Sequence, residues 1–238
     1  MRTQYEKFLF FGDSITEFSH NSRMQPEKGD QFTIGAALTA AYSRKLDVLT
    51  RGYSGYSSRW ALKLLPKILE SESNISIATI FFGSNDLCEG GHQSVPLEEF
   101  NENTLTLVNM MKTKGIRPII VGPALFDETK WNNLKAEEVA KGYRRTSEGF
   151  KTFSDAAKAL AAREDVGFVN LNDAFTREGG ANWSDLLTDG LHFTGKGYEV
   201  FFNELLKVIR EKHPEYAPEN LTIKPLLWSE VKADGSNL

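Results

Sequence analysis

The chain has 238 residues, of which 40% are hydrophobic and 25% are charged, and its formal net charge is −4. These values are typical of globular domains and exclude long disordered segments and collagen-like repeats. The weak net charge and the lack of long Lys or Arg runs argue against a nucleic-acid partner. No apolar run approaches the roughly 20 residues of a membrane-spanning helix, so we expect no membrane insertion.

The chain has one cysteine, Cys88, which cannot form an internal disulfide. No cluster of Cys and His has the spacing of a zinc site, and we expect the Cys88 thiol to be buried and inert. The polar start of the chain, residues 1–7, does not have the pattern of a signal peptide. We therefore expect a reduced, cytoplasmic protein.

Five short apolar runs alternate with longer stretches of helical spacing. Such alternation predicts an α/β fold in which helices cover both faces of a mostly parallel sheet. The predicted strands are 7–11, 47–51, 75–82, 118–121 and 167–170.

Three stretches have apolar residues on one helical face. They begin at Ala61, at Phe100 just after Pro96, and at Tyr198. A longer helical pattern over 131–163 contains two glycines, which predict either two helices or one kinked helix. The proline-containing tail 214–238 should be irregular, with its apolar residues Leu226, Leu227 and Trp228 packed on the body.

Four segments carry polar residues where chemistry is expected. In open α/β sheets, ligands bind beyond the carboxyl ends of the strands. Three of the segments follow the first three predicted strands, and the fourth precedes the last helix. They are 12–16 (GDSIT), 52–56 (GYSGY), 83–86 (GSND) and 189–192 (DGLH).

A serine hydroxyl becomes a strong nucleophile only when an adjacent base removes its proton. Asp189 and His192 are three residues apart, so one turn brings both side chains to the same side. The carboxylate can then accept a hydrogen bond from Nδ1–H, which leaves Nε2 free as a base. With Ser14 opposite that turn, the sequence predicts a Ser–His–Asp arrangement.

The same segments supply donors for an oxyanion. The small residues Gly12, Gly52 and Gly55 allow backbone N–H groups to approach a developing negative charge, and Asn85 offers a neutral amide. One such donor is worth about 2.7–4 kcal/mol of the barrier.

This set of motifs resembles the GDSL-type lipases and esterases, also called SGNH hydrolases. The resemblance implies that Ser14 is the nucleophile, His192 the base and Asp189 its orienting acid. It also implies that the oxyanion donors are the Ser14 N–H, the Gly55 N–H and the Asn85 side chain, with Gly52 as the competing glycine. It implies a flavodoxin-like, three-layer α/β/α fold with a five-stranded parallel sheet, and no metal or other cofactor.

The likeness is strongest with one branch of that family, over residues 10–18, 57–63, 186–193 and 234–237. That branch implies a small-molecule partner, an acetate ester of a short aliphatic alcohol, cleaved through an acyl-enzyme. Phe193 stands where the wider family often has proline, which affects the expected shape of that loop.

Other interpretations of the same residues stay open. Asp13 and Asp86 are either metal ligands or turn caps that orient Ser14 and Asn85. In the first case the protein would be a metal-dependent phosphoesterase that also uses Asp189 and His192. Two further alternatives are a deacetylase or lipase-type SGNH hydrolase that acts on another acyl ester, and an inactive binding module. The residues Phe175, Trp183, Leu186 and Leu187 form either a pocket near His192 or ordinary packing, and His20 and His92 are expected in exposed loops.

The positions of Ser14 and His192 bear on domain organisation, because the two residues must meet although they are 178 positions apart in the sequence. We therefore interpret 1–238 as a single domain, with 214–238 as an extension packed on it. Two roles of the tail stay open: it forms a contact in a homodimer, or it partly covers the site.

Overall fold

The computed structural model describes residues 4–237 and contains a five-stranded, all-parallel sheet in the order β2-β1-β3-β4-β5. The predicted strands are confirmed within one residue at each end, because parallel strands buried on both faces form nearly continuous apolar runs. The strands are β1 (Glu6–Gly12), β2 (Leu46–Gly52), β3 (Ile75–Phe81), β4 (Arg117–Gly122) and β5 (Gly167–Asn170).

Nine α-helices occur within residues 4–237, and they cover both faces of the sheet. The helices are α1 (Ser14–Glu17), α2 (Ile34–Ala41), α3 (Ser58–Ser71), α4 (Leu97–Thr113), α5 (Glu128–Leu134), α6 (Ala136–Ala140), α7 (Ser147–Arg163), α8 (Leu171–Gly179) and α9 (Gly195–Lys212).

Two apolar cores lie on opposite faces of the sheet. Side chains alternate between the faces of a strand, so Leu9 and Phe11 of β1 join one core, and Phe8 and Phe10 join the other. The first core lies beneath α3, α4 and α7, and the second beneath α2, α8 and α9. These layers confirm the expected three-layer α/β/α fold.

The long helical pattern over 131–163 spans three helices, not the two helices or the one kinked helix that were predicted. It includes the end of α5, all of α6 and α7, and a non-helical segment 141–146 between the last two. Gly142 in that segment has a φ of 94°, a left-handed conformation that ends a helix. Helices α2 and α8 were not predicted, because each is too short for a sustained apolar period.

The tail is attached to the amino ends of β1 and β2. Tyr42 Oη donates to the Tyr216 carbonyl (2.9 Å), and Lys45 Nζ donates to the Pro218 carbonyl (2.7 Å). Arg44 donates to carbonyls of residues 224–226. These contacts lie at the end of the sheet opposite the Ser14 segment, so they do not support a cover over the site.

The prediction that the apolar residues of the tail pack on the body is wrong for two of the three. Leu227 is 44% exposed and Trp228 is 89% exposed. Leu226 is the last residue of the tail to which Arg44 donates a hydrogen bond. The turn that follows is held by hydrogen bonds within the tail, such as that from the Leu227 N–H to Glu230 Oε2.

None of the helices in the described part of the chain is both long and apolar enough to cross a bilayer. The single-domain interpretation of 1–238 stays a prediction, and residues 1–3 and 238 lie outside the described range.

Candidate active site

Ser14 begins α1 directly after β1 and is 7% exposed. The preceding residue, Asp13, caps this short helix by accepting a 3.0 Å hydrogen bond from the Ile15 N–H. The turn from strand to helix is tight: a Cβ on Gly12 would lie 2.7 Å from the Phe81 carbonyl oxygen. Gly12 therefore allows the chain to turn so that Ser14 stands at the carboxyl edge of the sheet.

A short loop before α9 carries Asp189 and His192. Asp189 Oδ1 accepts from the backbone N–H groups of Leu191 (3.0 Å) and His192 (2.8 Å), which folds the loop back on itself. Gly190 has a φ of 98°, and a Cβ there would lie 2.5 Å from the Asp127 carbonyl oxygen. This position therefore requires glycine.

Phe193, which stands where the wider family often has proline, is fully buried and pairs with Leu187 in an antiparallel bridge. Its ring lies 4.8 Å from that of Phe175. Phe175, Leu186 and Leu187 are buried in the second core, so the structure favours ordinary packing over a pocket.

The structure brings Ser14, His192 and Asp189 together in one chain of hydrogen bonds. His192 Nε2 lies 3.0 Å from Ser14 Oγ, and His192 Nδ1 lies 2.7 Å from Asp189 Oδ2. Nδ1–H donates to the carboxylate, so Nε2 has its lone pair towards the serine hydroxyl. The arrangement can therefore remove a proton from Ser14 and stabilise the resulting imidazolium.

Asp189 is held as a carboxylate. Its burial acts to raise its pKa, but the hydrogen bond and charge of His192, together with two backbone N–H groups, outweigh burial and lower the pKa to about 2. At neutral pH the side chain is thus an anion that fixes the imidazole.

Gly55 lies in a turn that follows β2. The Tyr56 N–H donates to the Tyr53 carbonyl (3.1 Å), and Gly55 has a φ of 79°. Gln93 Nε2 donates to the Gly55 carbonyl at 2.7 Å and holds this peptide in place. Gly52 lies in close contact with α1, since a Cβ there would lie 2.0 Å from the Glu17 backbone nitrogen. The close packing of α1 on β2 accounts for that glycine.

Asn85 follows β3 and reaches across to the turn after β2. Its Nδ2 donates to the Tyr56 carbonyl at 3.0 Å, and only 5% of the residue is exposed. Because β1 lies between β2 and β3, this bond passes over the strand end that carries Ser14. An amide has two N–H groups, so a second one is left for another acceptor.

Asp13 and Asp86 cap turns, as one of the two interpretations expected. Asp86 accepts from the N–H groups of Ser58 (2.9 Å) and Gly83 (3.1 Å), and so joins the start of α3 to the loop of Asn85. Burial raises the pKa of Asp13 to about 7 and that of Asp86 to about 6, against the hydrogen bonds that lower them. Among residues 4–237, no three His, Cys, Asp or Glu side chains cluster in a way that would hold a metal ion.

Other predicted residues lie around this site. Cys88 is fully buried, as expected, and burial raises the pKa of its thiol. His20 and His92 are exposed, as expected.

Two residues beside the site, Trp131 and Arg145, were not predicted from the sequence. Trp131 packs beside His192 with 6.4 Å between ring centroids, and the Arg145 guanidinium lies 5.2 Å from the centre of the Trp131 ring. Both residues fall in the long helical pattern, where the only local signal was the break at Gly142.

Residues 10–200 match the model of the GDSL-like lipase/acylhydrolase family. The chain is 56% identical over 234 residues to the isoamyl acetate-hydrolyzing esterase of Saccharomyces cerevisiae, with 98% of each chain covered. It is 34% identical to the human isoamyl acetate-hydrolyzing esterase 1 homolog, over 87% of this chain and 83% of the relative.

Solved structures share the fold at lower identity. A lipase/acylhydrolase from Enterococcus faecalis has a TM-score of 0.67 and 21% identity, and covers 93% of this chain and 100% of its own. The acetylxylan esterase Axe2 from Geobacillus stearothermophilus, as a catalytic mutant, has a TM-score of 0.66 and 18% identity, over 88% and 96%. From its sequence match and its fold, the chain belongs to the GDSL-like lipase/acylhydrolase family.

Proposed function

We propose that this protein is a serine esterase that hydrolyses acetate esters of short aliphatic alcohols, isoamyl acetate among them, through an acyl-enzyme. The observation that carries the proposal is the continuous hydrogen-bonded chain from Ser14 through His192 to Asp189. Isoamyl acetate is chosen because it is named for the relative that is 56% identical over nearly the whole chain.

In the first half of the reaction, Ser14 Oγ bonds to the carbonyl carbon of the ester while His192 Nε2 accepts the hydroxyl proton. The carbonyl electrons move onto oxygen, which becomes a tetrahedral oxyanion. When this intermediate collapses, the bond to the alcohol oxygen breaks, and His192 returns the proton to the departing alcohol. Ser14 is left as an acetyl ester.

In the second half, water takes the place of the alcohol. His192 removes a proton from the water as its oxygen attacks the acyl carbon, and then gives that proton to Ser14 Oγ as acetate leaves. Asp189 stays ionised throughout and stabilises the imidazolium that forms twice per turnover.

The oxyanion in both halves is assigned to three donors: the backbone N–H groups of Ser14 and Gly55 and the Asn85 amide. The Ser14 N–H is at the first position of α1, where a helix offers no internal acceptor. Gly55 is preferred to Gly52 because the close contact with Glu17 already accounts for the latter.

The environment of Ser14 supports a small acyl group. Ser14 is only 7% exposed. His192 is flanked by Phe18, whose ring centre lies 5.4 Å away, and by Trp131. Two aromatic rings next to the base favour a small acyl group over a long one, so we expect turnover to fall steeply from acetate to octanoate esters.

A fluorophosphonate probe and a p-nitrophenyl ester series test the proposal. The wild-type protein should be labelled on Ser14 and should hydrolyse p-nitrophenyl acetate and isoamyl acetate. The Ser14→Ala variant should lose both labelling and turnover. Ser54→Ala is a matched control, because Ser54 is an exposed serine on the neighbouring turn. Wild-type turnover by Ser14→Ala, or loss of activity on chelation without labelling, would refute the proposal.

We further propose that the protein is cytoplasmic and that it degrades small lipid-like esters. We also propose that the tail forms a contact in a homodimer. The exposed Trp228 supports that contact. Light scattering after size-exclusion chromatography should show a dimer that Trp228→Ser converts to a monomer. A monomeric wild-type protein would remove the dimer from the proposal.

A further inference from the structure

Arg145 is a buried cation beside the proposed oxyanion site. It is 6% exposed and lies in the non-helical segment between α6 and α7. Two backbone hydrogen bonds between Glu89 and Arg144 (2.8 and 3.2 Å) attach this segment to the loop that follows β3. On its other side, Thr146 caps α7 by accepting from the Gly149 N–H at 3.0 Å. The backbone of Arg145 is therefore fixed from both sides.

The guanidinium is directed at the Asn85 peptide and side chain. Its Nε donates to the Ser84 carbonyl at 3.0 Å, and its Nη2 donates to Asn85 Oδ1 at 3.2 Å. One face of the guanidinium lies over the Trp131 ring, 5.2 Å from its centre. A planar fork that donates to two acceptors beside an aromatic ring is a geometry that arginine provides and lysine does not.

The contact determines which way the Asn85 amide faces. Oδ1 meets a cationic donor, and Nδ2 meets the Tyr56 carbonyl. A flipped amide would place its NH₂ against the guanidinium and its oxygen against a carbonyl, and would lose both hydrogen bonds. Arg145 therefore holds Nδ2, the donor of the proposed oxyanion hole, in its orientation.

The charge of Arg145 has no direct partner. No carboxylate forms an ion pair with it at 4.0 Å or less within residues 4–237. Burial accordingly lowers the pKa of its guanidinium, although an arginine stays protonated at accessible pH. A buried, unpaired cation is costly, and here its hydrogen bond polarises the Asn85 amide, which becomes a better donor to an anion.

We propose that Arg145 is a positioning residue for the reaction: it orients and polarises the Asn85 amide so that the second N–H group stabilises the tetrahedral oxyanion. This inference rests on the proposed function. It adds a fixed cation behind the oxyanion site, and it accounts for the retention of a buried charge that has no ion-pair partner within residues 4–237.

A double-mutant cycle on p-nitrophenyl acetate tests the inference, with Arg145→Met and Asn85→Ala alone and combined. Arg145→Met should lower kcat by about 10- to 100-fold, with KM changed less than about threefold, because the lost interaction is made in the transition state. In the Asn85→Ala background the same substitution should change kcat by less than about threefold, since no amide is left to orient.

Two further variants keep the result interpretable. Arg144→Met removes the neighbouring exposed arginine and should leave kcat unchanged. Arg145→Lys keeps the charge but not the fork, and should lose less activity than Arg145→Met. If Arg145→Met fails to fold by circular dichroism, the cycle with Arg145→Lys decides the question.

Several outcomes would overturn the inference: a kcat within twofold of wild type in the variants that fold, an equal loss in both backgrounds, or a loss confined to KM. Failure of both Arg145 variants to fold would also overturn it, because the residue would then be a structural support. Throughout, labelling of wild-type Ser14 by the fluorophosphonate probe monitors the proposed function separately. Absence of that labelling defeats the proposed function, whereas intact labelling with an unaffected kcat defeats only the role of Arg145.

Discussion

A single hydrogen bond joins Asn85 to Tyr56, 3.0 Å from Nδ2 to the carbonyl oxygen, and it connects the loops after β3 and β2 over the end of β1. Ser14 lies at that strand end, where it is the first residue of α1. The loops on both sides of Ser14 are thus held to each other, and the amide that spans them has one N–H left for an oxyanion. Groups fixed before the reaction need not reorganise during it, which is the main source of electrostatic catalysis.

Asn85→Ala should lower kcat by about 10²- to 10³-fold, the usual effect of losing one oxyanion donor. Labelling of Ser14 should persist at a reduced rate, because the nucleophile and base are intact. Asn103→Ala is a matched control, since Asn103 is also a buried asparagine but donates to Ser58 Oγ at 3.0 Å and is not one of the proposed oxyanion donors. It should reduce Tm with little effect on kcat. Equal kcat losses in the two variants would contradict the assignment.

Asp189→Asn should lower kcat by about 10³- to 10⁴-fold, because the neutral amide no longer fixes the His192 tautomer or stabilises the imidazolium. KM should change little. The measurement is a comparison of kcat and KM on p-nitrophenyl acetate with those of Asp173→Asn, which alters an exposed aspartate in the first turn of α8. A kcat above one-tenth of wild type would argue against Asp189 as the orienting acid.

The two candidate glycines should respond differently to alanine. In Gly52→Ala, the new Cβ would lie 2.0 Å from the Glu17 backbone nitrogen, so α1 must move and we expect a large loss of Tm. In Gly55→Ala, the φ of 79° costs about 1–2 kcal/mol, and the contact at 3.0 Å is with the flexible end of Gln93. That variant should fold and lose at least about tenfold in kcat through a displaced N–H.

Thermal unfolding and kinetics on both variants check this. A Gly52→Ala protein with wild-type Tm would show that packing on Glu17 does not explain that glycine. Wild-type kcat in Gly55→Ala would remove Gly55 from the oxyanion hole.

Asp13 should make stability depend on pH. Burial raises its pKa to about 7 in the folded protein, from the ordinary aspartate value of 3.8. Between these values the folded state binds a proton that the unfolded state does not. The stabilisation is therefore complete below about pH 4 and is lost as the pH rises through 7. Since each tenfold change in proton affinity is worth about 1.4 kcal/mol, the loss amounts to at most about 4 kcal/mol.

Asp13→Asn keeps an oxygen to accept from Ile15 and cannot ionise. We expect its free energy of unfolding, measured by urea titration between pH 4.5 and 8, to exceed that of wild type most at pH 8. The difference should shrink as the pH falls. A difference that is constant with pH would show that Asp13 does not titrate in this range.

Most of the fold could be predicted from the sequence, whereas the residues that carry the proposed chemistry could be predicted only in part. Buried parallel strands such as β3 read as continuous apolar runs, so all five strands were predicted with small errors at their ends. Segments 12–16 and 83–86 could be assigned to one edge of the sheet, because parallel strands place their carboxyl ends together. Segment 189–192 follows no predicted strand, and it was assigned to the same edge because His192 has to meet Ser14. The choice between Gly52 and Gly55 could not be made, since it depends on contacts with Glu17 and Gln93, which are distant in sequence.

What the sequence determined by itself was the α/β alternation and the positions of Ser14, Asn85, Asp189 and His192 on segments that converge, because apolar periodicity and short motifs are local properties. What only the tertiary structure decided was how these side chains are held. Arg145 falls inside a helical pattern, and nothing in the neighbouring sequence indicates that its side chain is buried. Nor does it indicate that the guanidinium lies over Trp131 and donates to Asn85, which is 60 positions away in the sequence. Such a contact depends on the packing of separate elements, and so on the whole fold rather than on any segment of it.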